Sequence, residues 1–196
     1  MVPDFNCAAR DGRLVGEQKM ASVYREIDID ASPELVWDVI RDVGAVHTRL
    51  APGFVRDVRM EGDVRFVTFV TGRVVPERIV GIDQAVRRMT YAAVDVPERK
   101  HHNASFQVFA NGPDSCRLVW ITDILPDTLA AAFAENMQKG LAVAKRQLEQ
   151  KQSRRSQYNR LRKSDLPDAG AFWLSRLGLQ TKAAEHGLLF VGSPSN

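Results

Sequence analysis

The stretch Thr128–Glu149, TLAAAFAENMQKGLAVAKRQLE, is the one long helical signal in a chain otherwise made of short strand-like runs. Leu129, Phe133, Met137, Leu141, Ala144 and Leu148 recur at spacings of three and four, so a helix here carries one apolar face. That face needs a sheet to lie on. Asp127, directly after Pro126, is the expected N-cap, and Lys145 and Arg146 fall at the expected C-terminal end, where cations suit the helix dipole. The face serves either as plain core packing or, where Met137, Gly140 and Ala144 leave room, as one wall of a ligand site.

Upstream, Val23, Arg25, Ile27 and Ile29 alternate with Tyr24, Glu26 and Asp28, which predicts a first strand with one face half buried. Ser32-Pro33-Glu34 reads as a helix start, with Ser as N-cap, Pro at the first helical position and an acid in the first turn. Val36, Val39, Ile40 and Val43 keep helical spacing to Gly44, and a second short helix or turn spans Ala45 to Leu50 before Pro52-Gly53. Strand-like runs follow at Phe54–Met60, Val64–Thr71, Val74–Ile82, Arg87–Val94, His102–Ala110 and Cys116–Leu125. The separators Glu61-Gly62-Asp63, Gly72-Arg73 and Asp83-Gln84 have hairpin length, whereas a parallel crossover needs about a dozen residues. The fold class is therefore α+β: a curved seven-stranded antiparallel sheet wrapped around a long C-terminal helix, with two short helices between strands 1 and 2. One helix cannot fill a strongly curved sheet. The short helices close one end, and a volume fit for a small molecule is left between sheet and helix.

Along that order stand Ile29-Asp30-Ala31-Ser32-Pro33-Glu34-Leu35-Val36-Trp37, then Glu77-Arg78-Ile79-Val80-Gly81-Ile82-Asp83 with Arg88-Met89-Thr90-Tyr91, and then Leu118-Val119-Trp120. On these residues the chain resembles the helix-grip superfamily of birch-pollen-allergen-like, START lipid-transfer and polyketide cyclase/dehydrase proteins, often called SRPBCC. The resemblance spans roughly residues 21–150 and implies a hydrophobic cavity with a binding, transport or cyclase-type role; no universal catalytic residue comes with it. Its co-chaperone-like and toxin-like members imply a further alternative, a protein-interaction module.

Strand parity nominates the lining. With Arg117 and Asp123 outside, Leu118, Trp120, Thr122 and Ile124 point in; with Asn103, Ser105 and Gln107 as the wet face, His102, Ala104, Phe106 and Val108 point in. Met89 and Tyr91 face in beside an outward Arg88 and Thr90, as do Val75, Glu77 and Ile79 beside Arg78. Glu77 is notable because a carboxylate on an apolar face is costly unless paired; it is either a structural partner or an active-site acid. Trp37, Phe133 and Met137 complete the candidate wall, Trp37 with a packing role as its alternative. His47 and Arg49 fall where a pocket mouth is expected, as a proton carrier and an anion clamp, or else as solvated loop residues. An enzyme of this kind would be a metal-free cyclase or dehydratase with Glu77, Tyr91 and His102 as acid–base candidates.

No cofactor is expected. Adjacent His101 and His102 face opposite ways on a strand, no third ligand stands at a metal spacing, and Ser22, Ser105 and Ser115 lack a nucleophile-elbow context. Cys7 and Cys116 give no disulfide or zinc framework, which suggests a reducing compartment. Residues 20–150 carry 16 Lys and Arg against 18 Asp and Glu, a net of −2, while 151–196 carry 8 against 3, a net of +5. The near-neutral body argues against a nucleic-acid partner. Residues 1–19 lack a signal-peptide core, no run approaches a membrane span, and the expectation is a cytoplasmic protein. The domain is expected over 20–150, after a poorly ordered extension 1–19 that reads as a leader or an over-long start. In 151–196, Lys151–Lys163 is either more helix or a solvated arm, and the apolar AFWLSRLGL and GLLFV follow. That segment is a poorly ordered extension, or it contacts an anionic membrane or a protein partner.

Overall fold

The computed structural model describes residues 19–164. They comprise two units: 19–154, with the sheet and most of the long helix, and 155–164, the last turns of that helix. β1 (Ala21–Ile29) leads into α1 (Pro33–Ile40), where the Ser32 hydroxyl accepts the Leu35 backbone N–H at 3.3 Å, Pro33 opens the first turn and Glu34 sits at its positive end. α1 buries Val36, Trp37, Val39 and Ile40. A single π-helical turn, Val46–Leu50, follows, with only Leu50 buried.

Six further strands, β2 (Val55–Glu61), β3 (Val64–Phe69), β4 (Val74–Asp83), β5 (Arg88–Ala93), β6 (His101–Ala110) and β7 (Cys116–Leu125), complete one sheet in the order β1-β7-β6-β5-β4-β3-β2, antiparallel throughout. β1 pairs with β7 from Ala21 opposite Ile124 to Ile29 opposite Cys116, so the first and last strands are neighbours and β2 forms the far edge. Register shifts in β2 between Val55 and Asp57, and in β4 between Ile79 and Gly81, add bend where the sheet wraps. Val80 and Ile82, on the same parity as the outward Arg78, are exposed. Parity misleads once on β6: Ser105, read as wet, is buried, and its hydroxyl accepts from Arg88.

A turn of 3₁₀ helix (Asp127–Leu129) precedes α2 (Ala130–Ser164). Asp127 is thus not a helix N-cap; it opens the tighter turn and its N–H donates to the Lys19 carbonyl at 2.8 Å. Lys145 and Arg146 lie inside the helix rather than at its end, because Lys151–Lys163 continues it through Ser164. Lys145 has a tertiary role instead: Nζ donates to the Asp28 carbonyl at 2.7 Å and to Glu149 Oε1 at 2.5 Å, and that carboxylate accepts the Asp30 N–H at 3.0 Å. Lys151 Nζ donates to the Arg49 carbonyl at 3.0 Å. These bonds fix the middle of α2 over the junction of β1 and α1. Beneath them Leu141, Ala144 and Leu148 join Ile29, Val36, Val108 and Leu118 in one buried cluster. The expectations for residues 1–18, and for the apolar stretches beyond Pro167, lie outside the described residues.

Candidate functional site

Two adjoining hollows lie between the sheet and α2. A narrow one of about 70 Å³ is bounded by Ile40, Leu50, Val67, Leu141 and Ala144. A wider one of about 300 Å³ is bounded by Arg73, Arg99, His102, Phe133, Asn136 and Met137. Phe54, Phe69, Glu77, Tyr91 and Trp120 border both. Drug-sized ligands usually occupy about 300–1,000 Å³, so only the wide hollow has room for one as it stands.

The shared wall is aromatic. Phe133 meets His102 at 5.6 Å between ring centres, His102 meets Tyr91 at 5.8 Å, Tyr91 stacks on Phe106 at 6.2 Å and Phe106 meets Trp120 at 4.5 Å. Alternation on β5, β6 and β7 produces this row, since Tyr91, His102, Phe106 and Trp120 all sit at inward positions of three adjacent strands. A guanidinium lies on two of these rings: Arg99 over Phe133, at one end of the row, at 4.9 Å, and Arg65 over Tyr91, at its middle, at 4.8 Å.

Glu77 has its partner in Arg65, directly opposite on β3. Arg65 Nε and Nη2 each reach Glu77 Oε2 at 2.8 Å, Nη1 reaches the Val43 carbonyl at 3.4 Å, and both side chains are at least nine-tenths buried. The carboxylate on the apolar face is therefore neutralised. Tyr91 is fully enclosed; burial first, and the negative charge of Glu77 second, push its phenol far above the ordinary tyrosine range. It stays a neutral hydroxyl. The Trp120 indole N–H is buried without a well-formed hydrogen bond, although its proximity draws the phenol slightly the other way.

His102 is neutral. Burial above all, then the positive charge of Arg99, push it down to about 4. Its Nδ1 accepts the Ala93 backbone N–H at 3.0 Å, which leaves the ring proton on Nε2. A base role through Nδ1 is thereby closed, and the ring offers a donor. His101 beside it is exposed, as alternation requires.

Other candidates lie away from both hollows. Arg49 is gripped by Asp38 and Asp42, each at 2.6 Å, in a shallow depression with Arg41 and Gln84; these acids hold its charge firmly, so it is no free clamp at the mouth. His47 sits on the π-helical turn with a buried, unpartnered Nδ1, and the residues of that turn that reach the narrow hollow are Val46 and Leu50. Thr122 points inward as parity requires but is sealed between β1 and β6, its hydroxyl unpartnered. Trp37 packs in the core and its Nε1–H donates to Gln84 at 2.6 Å, so it is not part of the wall. Nor does Gly140 leave open room: a Cβ there would lie 3.1 Å from Trp120 Cζ3 and 3.5 Å from Phe54 Cε1, so its missing side chain admits those rings. Cys116 is a buried free thiol, pushed up to about 11 by burial, and so unreactive.

Sequence reasoning missed Arg65 and Arg99. The first had a signal, because folding β3 and β4 about Gly72 sets Arg65 opposite Glu77. The second, in a loop without periodicity, had none. Among the described residues no three His, Cys, Asp or Glu side chains come together as metal ligands, and no helix is long and apolar enough to cross a membrane.

With this geometry the comparisons with known proteins agree. The model of the family described as polyketide cyclase/dehydrase and lipid transport matches residues 20–149. The chain belongs to that family, within the helix-grip superfamily, whose members bind hydrophobic ligands or carry out cyclase chemistry. Among solved structures, an uncharacterised protein from Bacillus thuringiensis is 18% identical with a TM-score of 0.59, covering 64% of this chain and 97% of its own. The Zhui aromatase/cyclase of Streptomyces sp. R1128 is 19% identical with a TM-score of 0.57, covering 70% and 96%. Norcoclaurine synthase of Thalictrum flavum is 21% identical with a TM-score of 0.53, covering 68% and 97%. At these identities the likeness is one of fold. No curated protein matches the chain by sequence.

Proposed function

We propose that this protein binds a hydrophobic small molecule, a lipid, quinone or aromatic polyketide-like compound, between the sheet and α2. The observation that carries the reading is the row Phe133–His102–Tyr91–Phe106–Trp120, of which all but Phe106 border a hollow of about 300 Å³ and Phe106 borders the narrow hollow beside it. Flat or flexible apolar bodies gain from such a wall by burial and by offset stacking. Family membership supports the same class of ligand.

A second reading, cyclase or dehydrase catalysis, is favoured by one feature. A buried ion pair is seldom the most stable way to fill a core, and Arg65–Glu77 is set against Tyr91 in the cavity wall. Tyr91 would donate to a substrate carbonyl oxygen, Arg65 would favour the negative charge growing there, and the Glu77 carboxylate would receive a proton from carbon.

Fluorescence titration with a panel of fatty acids, quinones and aromatic polyketides tests the binding reading; silence across the panel sinks it. Turnover by the parent that drops about 100-fold or more in Glu77→Gln, with affinity kept, would establish the enzyme. Binding by the parent and by Glu77→Gln, Tyr91→Phe and His102→Ala, with turnover in none, is the outcome expected of a carrier.

A further inference from the structure

We propose that the ligand carries an anionic oxygen head group, a carboxylate or phosphate, and that Arg99 receives it at the wide end of the cavity. The inference rests on the binding reading above and adds the polarity and direction of the ligand.

The first argument is charge matching. Four charged side chains around the cavity cancel in pairs, Arg65 with Glu77 and Arg73 with Glu98. Arg99, in the same wall, has no carboxylate partner among the described residues; its contact is the face of Phe133. Glu98, its neighbour in sequence, is held by Arg73 instead. A half-buried guanidinium with five donors and no anion is an unfilled site, since Arg is the side chain best shaped to meet carboxylate or phosphate. Burial, and next Arg73, press against its charged form; the charge of Glu77, which is not bonded to it, offsets part of this, and an incoming anion would offset more. Arg49 shows the contrast within the same fold, filled by two aspartates.

The second argument is the hydrogen-bond inventory. Around Arg99 the wall offers the His102 Nε2–H, and further in the buried, unpartnered Trp120 Nε1–H. The cavity's carboxylates are already bonded to arginines. Asn136 offers both a donor and an acceptor, but no carboxylate among the described residues is bonded to Arg99, so a ligand that brings acceptor oxygens suits this end best. A neutral ether or alcohol would satisfy some of the donors and leave the positive charge of Arg99 uncompensated. The head therefore belongs at Arg99 and the apolar body runs along the rings toward Phe106 and Trp120.

Two probes with one aromatic body separate head from body: anilinonaphthalene sulfonate, an anion, and N-phenylnaphthylamine, its neutral counterpart. The full-length protein should bind the sulfonate more tightly, with an affinity that falls as salt rises. Arg99→Met keeps the apolar stem over Phe133 and should weaken sulfonate binding about ten- to hundredfold. Its affinity for the neutral probe should stay within about twofold, which also shows that the variant is folded. Displacement by dodecanoate or dodecyl phosphate should exceed that by dodecanol, and the stronger of the two anions identifies the head. Equal binding of both probes, or an equal loss of both in Arg99→Met, overturns the head-group proposal while leaving the cavity reading intact. Failure of both probes and all three competitors to bind overturns the two together.

Discussion

The two halves of α2 within the sheet unit share one spacing and meet different surroundings. Leu141, Ala144 and Leu148 belong to the cluster built on Ile29, Val36 and Leu118, whereas Phe133 and Met137 border the wide hollow opposite His102 and Trp120. Met137 is 1% exposed and yet lies outside that cluster. Spacing of three and four thus marks which side of a helix faces inward, and says nothing of whether the interior it faces is filled. The distinction is testable by shortening one side chain in each half. Leu148→Ala removes three carbons from packed surroundings and should cost about 2–5 kcal/mol in denaturant unfolding. Met137→Ala enlarges a space that already exists, so its cost should sit at or below the low end of that range. Equal costs would mean that the wide hollow is closed in solution.

A smaller effect, on the open half, comes from His102. Its folded value, pushed down to about 4, lies below the ordinary 6.5 of an unfolded chain, so between those values the unfolded state binds the extra proton. Stability then rises with pH through the window, is complete above about 6.5, and is lost as pH falls toward 4. The full window corresponds to about 3 kcal/mol. Arg99 and His101, the charged neighbours that add to the depression, should sharpen the loss at low salt. His102→Phe should flatten the curve of stability against pH over this interval; an unchanged slope would show that other groups set it.

Which residues line the two hollows was legible where strands run without interruption. Met89, Tyr91, His102, Phe106 and Trp120 face inward because β5, β6 and β7 keep unbroken register with one another. Legibility ended where backbone or charge departed from period. The shift at Val80 breaks alternation in β4, and Gly81 beside it was the signal that went unread. Lys151–Lys163 lacks an apolar stripe, so its continued helix follows from the intrinsic preference of Lys, Arg and Gln and not from a face that must be covered. The roles of Arg49 and Arg99 were beyond reach for one reason: each depends on which acid comes near. Asp38 and Asp42 are drawn to Arg49 by the fold of α1, and Glu98 goes to Arg73 rather than to Arg99. An arginine's neighbours in sequence do not reveal whether it is free to bind an anion.

The boundary between the halves falls at Gly140, and the smallest expected effect belongs there. Replacing glycine by alanine inside a helix stabilises by about 1 kcal/mol when the new methyl has space. Here it meets Trp120 Cζ3 at 3.1 Å, tight enough that the ring must move a few tenths of an ångström. In a filled core that would strain the packing. Trp120, however, borders both hollows and its N–H makes no well-formed hydrogen bond, so the ring has free volume beside it and little hydrogen bonding to lose. The gain in helix propensity and the cost of displacement should therefore nearly cancel, leaving Gly140→Ala within about 1 kcal/mol of the parent in denaturant unfolding. Its effect should appear in the cavity, as weaker binding of ligands that reach past Trp120 and unchanged binding of short ones held near Arg99. A loss of several kcal/mol would mean instead that Trp120 is wedged, and that the two hollows are separated by a rigid wall.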